Sequence, residues 1–207
     1  MQFTTRRWFY WLVAAVLLHG CSGVGTRQSG PGNEQLYLDR AGKLESVQHW
    51  GLVGRLSLDD GEQGGSGKLR WNVWPAGSDL DFHGAMGRGA WQLQVREGGA
   101  TLKTSDGNVQ TAPAVDALVQ AQLGWSFPVG DLEWWVRGLR APGAADVVQY
   151  DSDGLLLSLQ QSGWRVEFKR YRDFGGTAFP VRLEAQRGSY RVKLAIGNWR
   201  LGLETGG

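Results

Sequence analysis

From Trp50 onward, apolar and polar residues alternate with a period of two. In "LRWNV", Leu69, Trp71 and Val73 alternate with Arg70 and Asn72. In "WRVEFK", Trp164, Val166 and Phe168 alternate with Arg165, Glu167 and Lys169. In "YRVKLAI", Tyr190, Val192, Leu194 and Ile196 alternate with Arg191 and Lys193. Successive side chains of a strand point to opposite faces, so the pattern predicts strands with one apolar and one wet face, as in antiparallel sheet. Asp60-Gly61, Gly98-Gly99, Asp106-Gly107, Asp153-Gly154, Ser162-Gly163 and Arg187-Gly188 punctuate these runs. Residues that tolerate positive φ suit tight hairpins.

Three stretches carry a helical period instead. Across residues 34–48, Tyr37, Ala41, Leu44 and Val47 recur at helical spacing with charged residues between them, and Gly42 lies inside the stretch. In "AVDALVQAQLG", Val115, Leu118, Val119 and Gln122 share a stripe, and Gly124 is placed to cap the end. In "DLEWWVRGL", Leu132, Trp135, Val136 and Leu139 fall at i, i+3, i+4 and i+7, with Asp131 as the expected N-cap and Pro142 as the stop. The order is helix, strands, two short helices, strands. Nothing alternates as βαβ, which excludes a parallel nucleotide-binding sheet. The pattern predicts a mainly β fold: a strongly curved antiparallel sheet whose concave apolar face is covered by helices.

The N-terminus follows a different logic. Arg6 and Arg7 precede the apolar run "WFYWLVAAVLL", which ends at "LLHGC". The run is shorter than the ~20 residues a membrane span needs and reads as an export signal. Cys21 is the single cysteine, so no internal disulfide is available to it. It stands where a bacterial lipoprotein box (Leu-x-Gly-Cys) places the residue that is lipidated and then exposed by cleavage. The competing reading is a buried free thiol behind an ordinary export signal. The expected organisation is a cleaved signal at 1–20, the lipidated Cys21 with a flexible tether at 21–34, and one domain at 35–207.

Removing the signal leaves basic and acidic residues equal in number, and along the chain they are interspersed. That argues against nucleic acid, which needs a local excess of Lys and Arg, and against attraction to anionic lipid. Membrane contact is therefore expected to be hydrophobic. The chain has 11 Trp. Large aromatics fill cores, line apolar cavities and sit at membrane interfaces, and the count alone does not choose.

Motifs for chemistry are sparse. "GGSGK" (64–68) fails as a phosphate loop because Glu62 occupies the first glycine position and Leu69 follows Lys68; it reads as a mobile hairpin. Without the signal the histidines are His49 and His83, at no metal-ligand spacing, and His83 is expected to face solvent. Asp79 and Asp81 share one strand face and are expected to be outward polar positions rather than an acid–base pair. Asp151 and Asp153 suit a turn. No catalytic residue, metal site or cofactor is expected, and the chain is not read as an enzyme. One oddity remains in "FHGAMGRGAW": Met86, a large apolar residue, sits among Gly84, Gly87 and Gly89. It either folds back onto the core or stands out from a loop.

The order of motifs resembles the LolB family of outer-membrane lipoprotein receptors. The resemblance is carried by "WGLVGRLSL" from Trp50, "LRW" at 69–71, "GAMGRG" at 84–89, "LGWSFPVGDLEWWVRG" at 123–138, "DSDG" at 151–154, "GWRVEF" at 163–168, "PVRLEA" at 180–185 and "RVKLAIGNW" at 191–199. It implies an incomplete antiparallel β-barrel with helices as a lid over an apolar cavity, similar in fold to the periplasmic carrier LolA. It further implies acceptance of acylated lipoproteins from that carrier, delivery to the inner leaflet of the outer membrane, and anchorage there through Cys21, facing the periplasm. Ser22 after Cys21 agrees with outer-membrane sorting. Trp71, Phe82, Trp91, Trp164 and Phe168 are the candidate cavity lining. In such proteins the loop matching "GAMG" protrudes with an exposed apolar residue, which places Met86, flanked by Gly84 and Gly87, in membrane delivery. The protein is expected to act as a monomer. The alternative is an outer-membrane lipoprotein with a structural or assembly role that carries no lipid.

Overall fold

The alternating segments form eleven strands in one antiparallel sheet that does not close into a barrel. The computed structural model describes residues 31–85, 89–126 and 128–202. Helix α1 (Pro31–Glu45) leads into β1 (Trp50–Asp59), β2 (Gly64–Trp74), β3 (Gly77–Gly84), β4 (Trp91–Arg96), β5 (Gly99–Thr104) and β6 (Val109–Ala112). Helices α2 (Val115–Leu123) and α3 (Val129–Trp135) follow, and then β7 (Ala145–Tyr150), β8 (Leu156–Gln161), β9 (Trp164–Phe174), β10 (Thr177–Arg187) and β11 (Tyr190–Leu201). The spatial order is β6-β5-β4-β3-β2-β1-β11-β10-β9-β8-β7. Two meanders are thus joined where β1 pairs with β11, and the chain passes from edge strand β6 to edge strand β7 through α2 and α3.

The period-two pattern sorts the faces as expected. Leu52, Leu56, Leu69, Trp71, Leu80, Leu93, Val166 and Leu183 are fully buried on the inner face, while Arg55, Lys68, Arg70, His83 and Lys193 are exposed on the outer one. Turn chemistry sets the registers. Ser162 (φ 52) and Gly163 (φ 75) join Gln161 to Trp164 in a two-residue hairpin whose positive φ angles match the twist of the strands. The β1–β11 ladder shifts register between Val53 and Gly54. There a Cβ on Gly54 would stand 2.5 Å from the Ala195 carbonyl oxygen, so only glycine fits.

Helix α1 buries Tyr37, Ala41 and Leu44, the predicted stripe. Gly42 points into open space, which is why an interior glycine is tolerated there. Helix α2 buries Leu118 and Val119 and ends on Gly124 in the left-handed conformation (φ 72). Two expectations need correction. Helix α3 begins at Val129 with Pro128 at the cap, so Asp131 lies in its first turn rather than before it, and the helix ends at Trp135, well short of Pro142. The first free N–H is instead taken by Asp116 of α2, whose Oδ1 accepts from Val129 N at 2.9 Å. The second correction concerns "GGSGK": it is the start of β2, paired with Arg55–Asp59, and the turn is made by the preceding residues. Asp60 forms it, its Oδ1 accepting from the backbone N–H of Glu62 and Gln63.

Candidate apolar binding site

A depression of about 500 Å³ opens where β1 ends and β2 begins. Its walls are Leu58, Phe82 and Trp91 on the sheet side and Leu123 and Trp125 on the helix side, with Gln122 at the rim. Phe82 and Trp91 are direct cross-strand partners and stack at 5.1 Å with planes 15° apart. The inner face of β2 carries glycine here, which lets the Phe82 ring lie against the strand at Gly67 and leaves room in front of Gly65. A Cβ on Gly67 would lie 2.6 Å from the Phe82 ring and 2.3 Å from the His83 carbonyl, and one on Gly65 would only just reach Trp125, at 4.0 Å. Gly84, Ala85 and Gly89 also border the depression. The described ends of the "GAMGRG" segment therefore lie at its rim. Met86 and Gly87 fall outside the described residues, as does Cys21.

The five aromatics expected along a cavity separate into two groups. Phe82 and Trp91 form the wall of the depression. Trp71, Trp164 and Phe168 are buried in the core cluster. Trp71 packs on Trp50 at 5.6 Å, Trp50 on Trp199 at 5.6 Å, and Trp199 on Phe179 at 4.8 Å, a run of aromatic contacts along the inner face. The buried Trp71 Nε1–H has no acceptor among the described residues. Trp164 lies beneath the Arg187 guanidinium at 4.8 Å. Phe168 stacks on Tyr171 at 6.1 Å, and Tyr171 donates its hydroxyl to the Leu156 carbonyl at 2.9 Å. Burial drives the Tyr171 phenol far above its ordinary pKa, so it stays a donor.

Helices α2 and α3 cover the apolar interior, and their anchoring is uneven. Gln161, an inward polar residue of β8, accepts from Trp135 Nε1–H at 3.0 Å and from Ala141 N–H at 2.9 Å, and donates to Ala141 O at 2.7 Å. Arg40 of α1 donates to the carbonyls of Arg137, Gly138 and Ala178. The Arg137 guanidinium sits over Trp134 (4.8 Å) and Trp50 (5.6 Å). Burial pulls Arg137 down in pKa while Glu133 and Glu45 oppose it; burial also raises Glu133, opposed by Arg137. Among the described residues, the link between α2 and α3 is held by fewer bonds, from Arg187 to Ser126 Oγ and from Val129 N–H to Asp116. Burial is the main cause of the raised Asp116 pKa, with Asp131 adding to it and the Val129 hydrogen bond opposing.

The remaining candidates lie away from the depression. Asp79 pairs with Arg96 at 2.7 Å and Asp81 accepts from Gln92 Nε2 at 3.0 Å, both on the outer face, and His83 is exposed there. Asp151 accepts from the N–H groups of Asp153 and Leu155 in the turn expected of it. Among the described residues no cluster of His, Cys, Asp and Glu could hold a metal ion, and no helix is long and apolar enough to cross a membrane. The sequence missed Leu58, Leu123 and Trp125 as wall residues and Gln161 as an anchor. Gln161 did leave a trace: it follows Leu159 by two, so a polar side chain falls on the inner face.

The charge reading also changes in three dimensions. Strands β9, β10, β11, β1 and β2 carry twelve Lys and Arg against four Asp and Glu, whereas the other described residues carry six against fifteen. Charges interspersed along the chain are thus segregated by the sheet.

The family described as "Outer membrane lipoprotein LolB" matches residues 48–199. The protein named outer-membrane lipoprotein LolB of Stutzerimonas stutzeri is 34% identical over 188 residues, covering 90% of this chain and 91% of that protein. Its namesake in Pseudomonas putida strain F1 is 35% identical over 186 residues, covering 89% and 91%. A LolA superfamily protein from Nitrosomonas europaea has a similar fold, with TM-score 0.55 at 8% identity over 83% of this chain and 94% of that one. A putative outer-membrane lipoprotein-sorting domain from Vibrio parahaemolyticus gives 0.53 at 10% identity over 83% and 93%. With the open sheet, the covering helices and the apolar depression already in place, the match across the folded body is decisive: the chain belongs to the LolB family of outer-membrane lipoproteins.

Proposed function

We propose that this protein is a lipid-anchored acceptor at the outer membrane. It takes acylated lipoproteins from a LolA-like periplasmic carrier into its apolar interior and releases them into the inner leaflet. The observation that carries this reading is the depression walled by Phe82, Trp91, Leu123 and Trp125, where the largely apolar core of the inner face reaches the surface. Its volume, about 500 Å³, lies within the range of ligand pockets, ~300–1,000 Å³.

The physical need is plain. Burying one CH₂ contributes about 0.8 kcal/mol, so three long acyl chains crossing water would cost several tens of kcal/mol. Cargo therefore passes from one apolar interior directly into another, driven by a difference in affinity. The interior is packed by Trp71, Trp164 and Phe168, so loading displaces the lightly held link between α2 and α3, and the depression is where that begins. Cys21 supplies the anchor. Met86, whose flanking residues Gly84, Ala85 and Gly89 border the depression, enters the bilayer during release; a flexible thioether side chain suits that role.

The test is a reconstituted transfer. A Cys21→Ala soluble form should take up a fluorescent acylated peptide. Met86→Glu should accept cargo normally and lose delivery to membranes. Normal delivery by Met86→Glu would remove Met86 from the mechanism. Absence of uptake by the soluble form would leave a lipoprotein with a structural or assembly role instead.

A further inference from the structure

The cations of the central strands form a patterned surface. On the outer face, Lys68 lies directly opposite Arg55, Arg55 opposite Ala195, Ala195 opposite Arg182, and Arg182 opposite Arg170. This single row crosses β2, β1, β11, β10 and β9, about 20 Å at the usual spacing between strands. All four cations are exposed, and none is in an ion pair among the described residues. Like charges directly opposite one another destabilise a sheet. Two such pairs in one row ask for a reason outside folding.

The four acids on these strands do not neutralise the row. Glu167 is already paired with Arg165 and Lys169. Asp59 faces Arg191 and Glu184 faces Lys193 in the rows above, and Asp173 lies near the end of β9. Those upper rows contain a second feature. An outer cleft of about 390 Å³ is bordered by Ser57, Asp59, Arg191 and Lys193, with Leu58 and the glycine-rich start of β2 as its floor. Leu58, Gly64, Gly65 and Ser66 also border the apolar depression on the inner side. Cationic and apolar surfaces therefore adjoin across one thin strand edge.

We propose that the outer face of β9–β11, β1 and β2 docks on an anionic lipid surface, holding the depression beside the membrane. The adjacency selects this occupant. An acidic protein would satisfy the cations, but a membrane interface alone offers phosphates and hydrocarbon side by side at that spacing. The inference rests on the delivery role proposed above and adds to it an electrostatic orientation, which the even mixing of charges along the sequence concealed.

The experiment uses the full chain carrying Cys21→Ala, which has no acyl anchor, beside the same chain with R55Q, K68Q, R170Q and R182Q. Both share one N-terminus, so their difference reports the face alone. Binding is measured to vesicles of phosphatidylcholine with and without phosphatidylglycerol. The parent should prefer the anionic vesicles and release them as salt is raised. The variant should bind them about fivefold more weakly for each cation removed. Neutralising Lys43 and Lys103, outside these strands, should change nothing. The variant should melt at or above the parent temperature, since it loses like-charge pairs.

Equal binding by parent and variant overturns the proposal, as does an equal loss from K43Q with K103Q. Loss of cargo acceptance from a loaded carrier with vesicle binding intact also overturns it, in favour of an acidic protein partner. Uptake of an acylated peptide separates the two readings. Normal uptake without charge-dependent binding sinks only this inference, whereas charge-dependent binding without uptake sinks only the acceptor role.

Discussion

The two flanks of the helical cover differ in how they are tied down. From Trp135 to Ala141 the chain is held by buried polar bonds: Gln161 makes three, and Arg40 reaches two carbonyls of this segment and one of β10. Trp135, Val136 and Leu139 are fully buried beneath it. The link after α2 has half-buried Trp125 and Ser126, held from the sheet by the exposed Arg187. Burying one large apolar side chain stabilises by about 1.5–3 kcal/mol. Among the described residues one flank is therefore tied by more buried bonds than the other, and the less tied one lies at the depression.

The largest effect should come from breaking the strong flank. Gln161→Leu strands Trp135 Nε1–H and both backbone groups of Ala141 in an apolar setting. We expect a loss of about 3–5 kcal/mol, read as a lower denaturant midpoint. A loss below about 1 kcal/mol would mean that this flank is not the anchor.

At the weak flank the prediction reverses in kind. Arg187→Ala removes the bond to Ser126 and the cover over Trp164. Stability should change by about 1 kcal/mol or less, while uptake of an acylated peptide becomes faster. Unchanged uptake rates would show that this link does not limit entry.

The smallest effect is a pH dependence. Burial raises the Asp116 carboxyl above its ordinary value. Stability from this group is therefore fully present below the ordinary aspartate range and is lost as pH rises through the raised value. Asp116→Asn can still accept from Val129 N–H without a partly desolvated charge. It should be slightly more stable than the parent at neutral pH and should match it in acid. Parallel melting curves of parent and variant across pH would rule out the ionised carboxylate as a cost.

Periodicity made the central strands, α1 and α2 legible, because each buries one face and the alternation records which, whereas edge strands β6 and β7 carry no such pattern. It did not record what that face meets. Trp71 and Phe82 have the same pattern, yet Trp71 packs on Trp50 while Phe82, its ring over Gly67, borders the depression. That difference arises from neighbours on other strands, brought together by register. The cationic row was hidden for the same reason, since Lys68, Arg55, Arg182 and Arg170 are scattered along the chain and adjoin only after pairing. The α3 start was misread because its cap comes from Asp116, thirteen residues earlier, rather than from Asp131.

The unsealed seam between β6 and β7 has a mechanical consequence. Those strands sit at opposite ends of the sheet order and exchange no ladder bonds with one another. A closed barrel swells only by rupturing a ladder, whereas this one behaves as a split ring: it can spring wider by bending, with every strand pairing kept. Under the acceptor role proposed above, capacity for bulky guests is thereby uncoupled from the integrity of the wall.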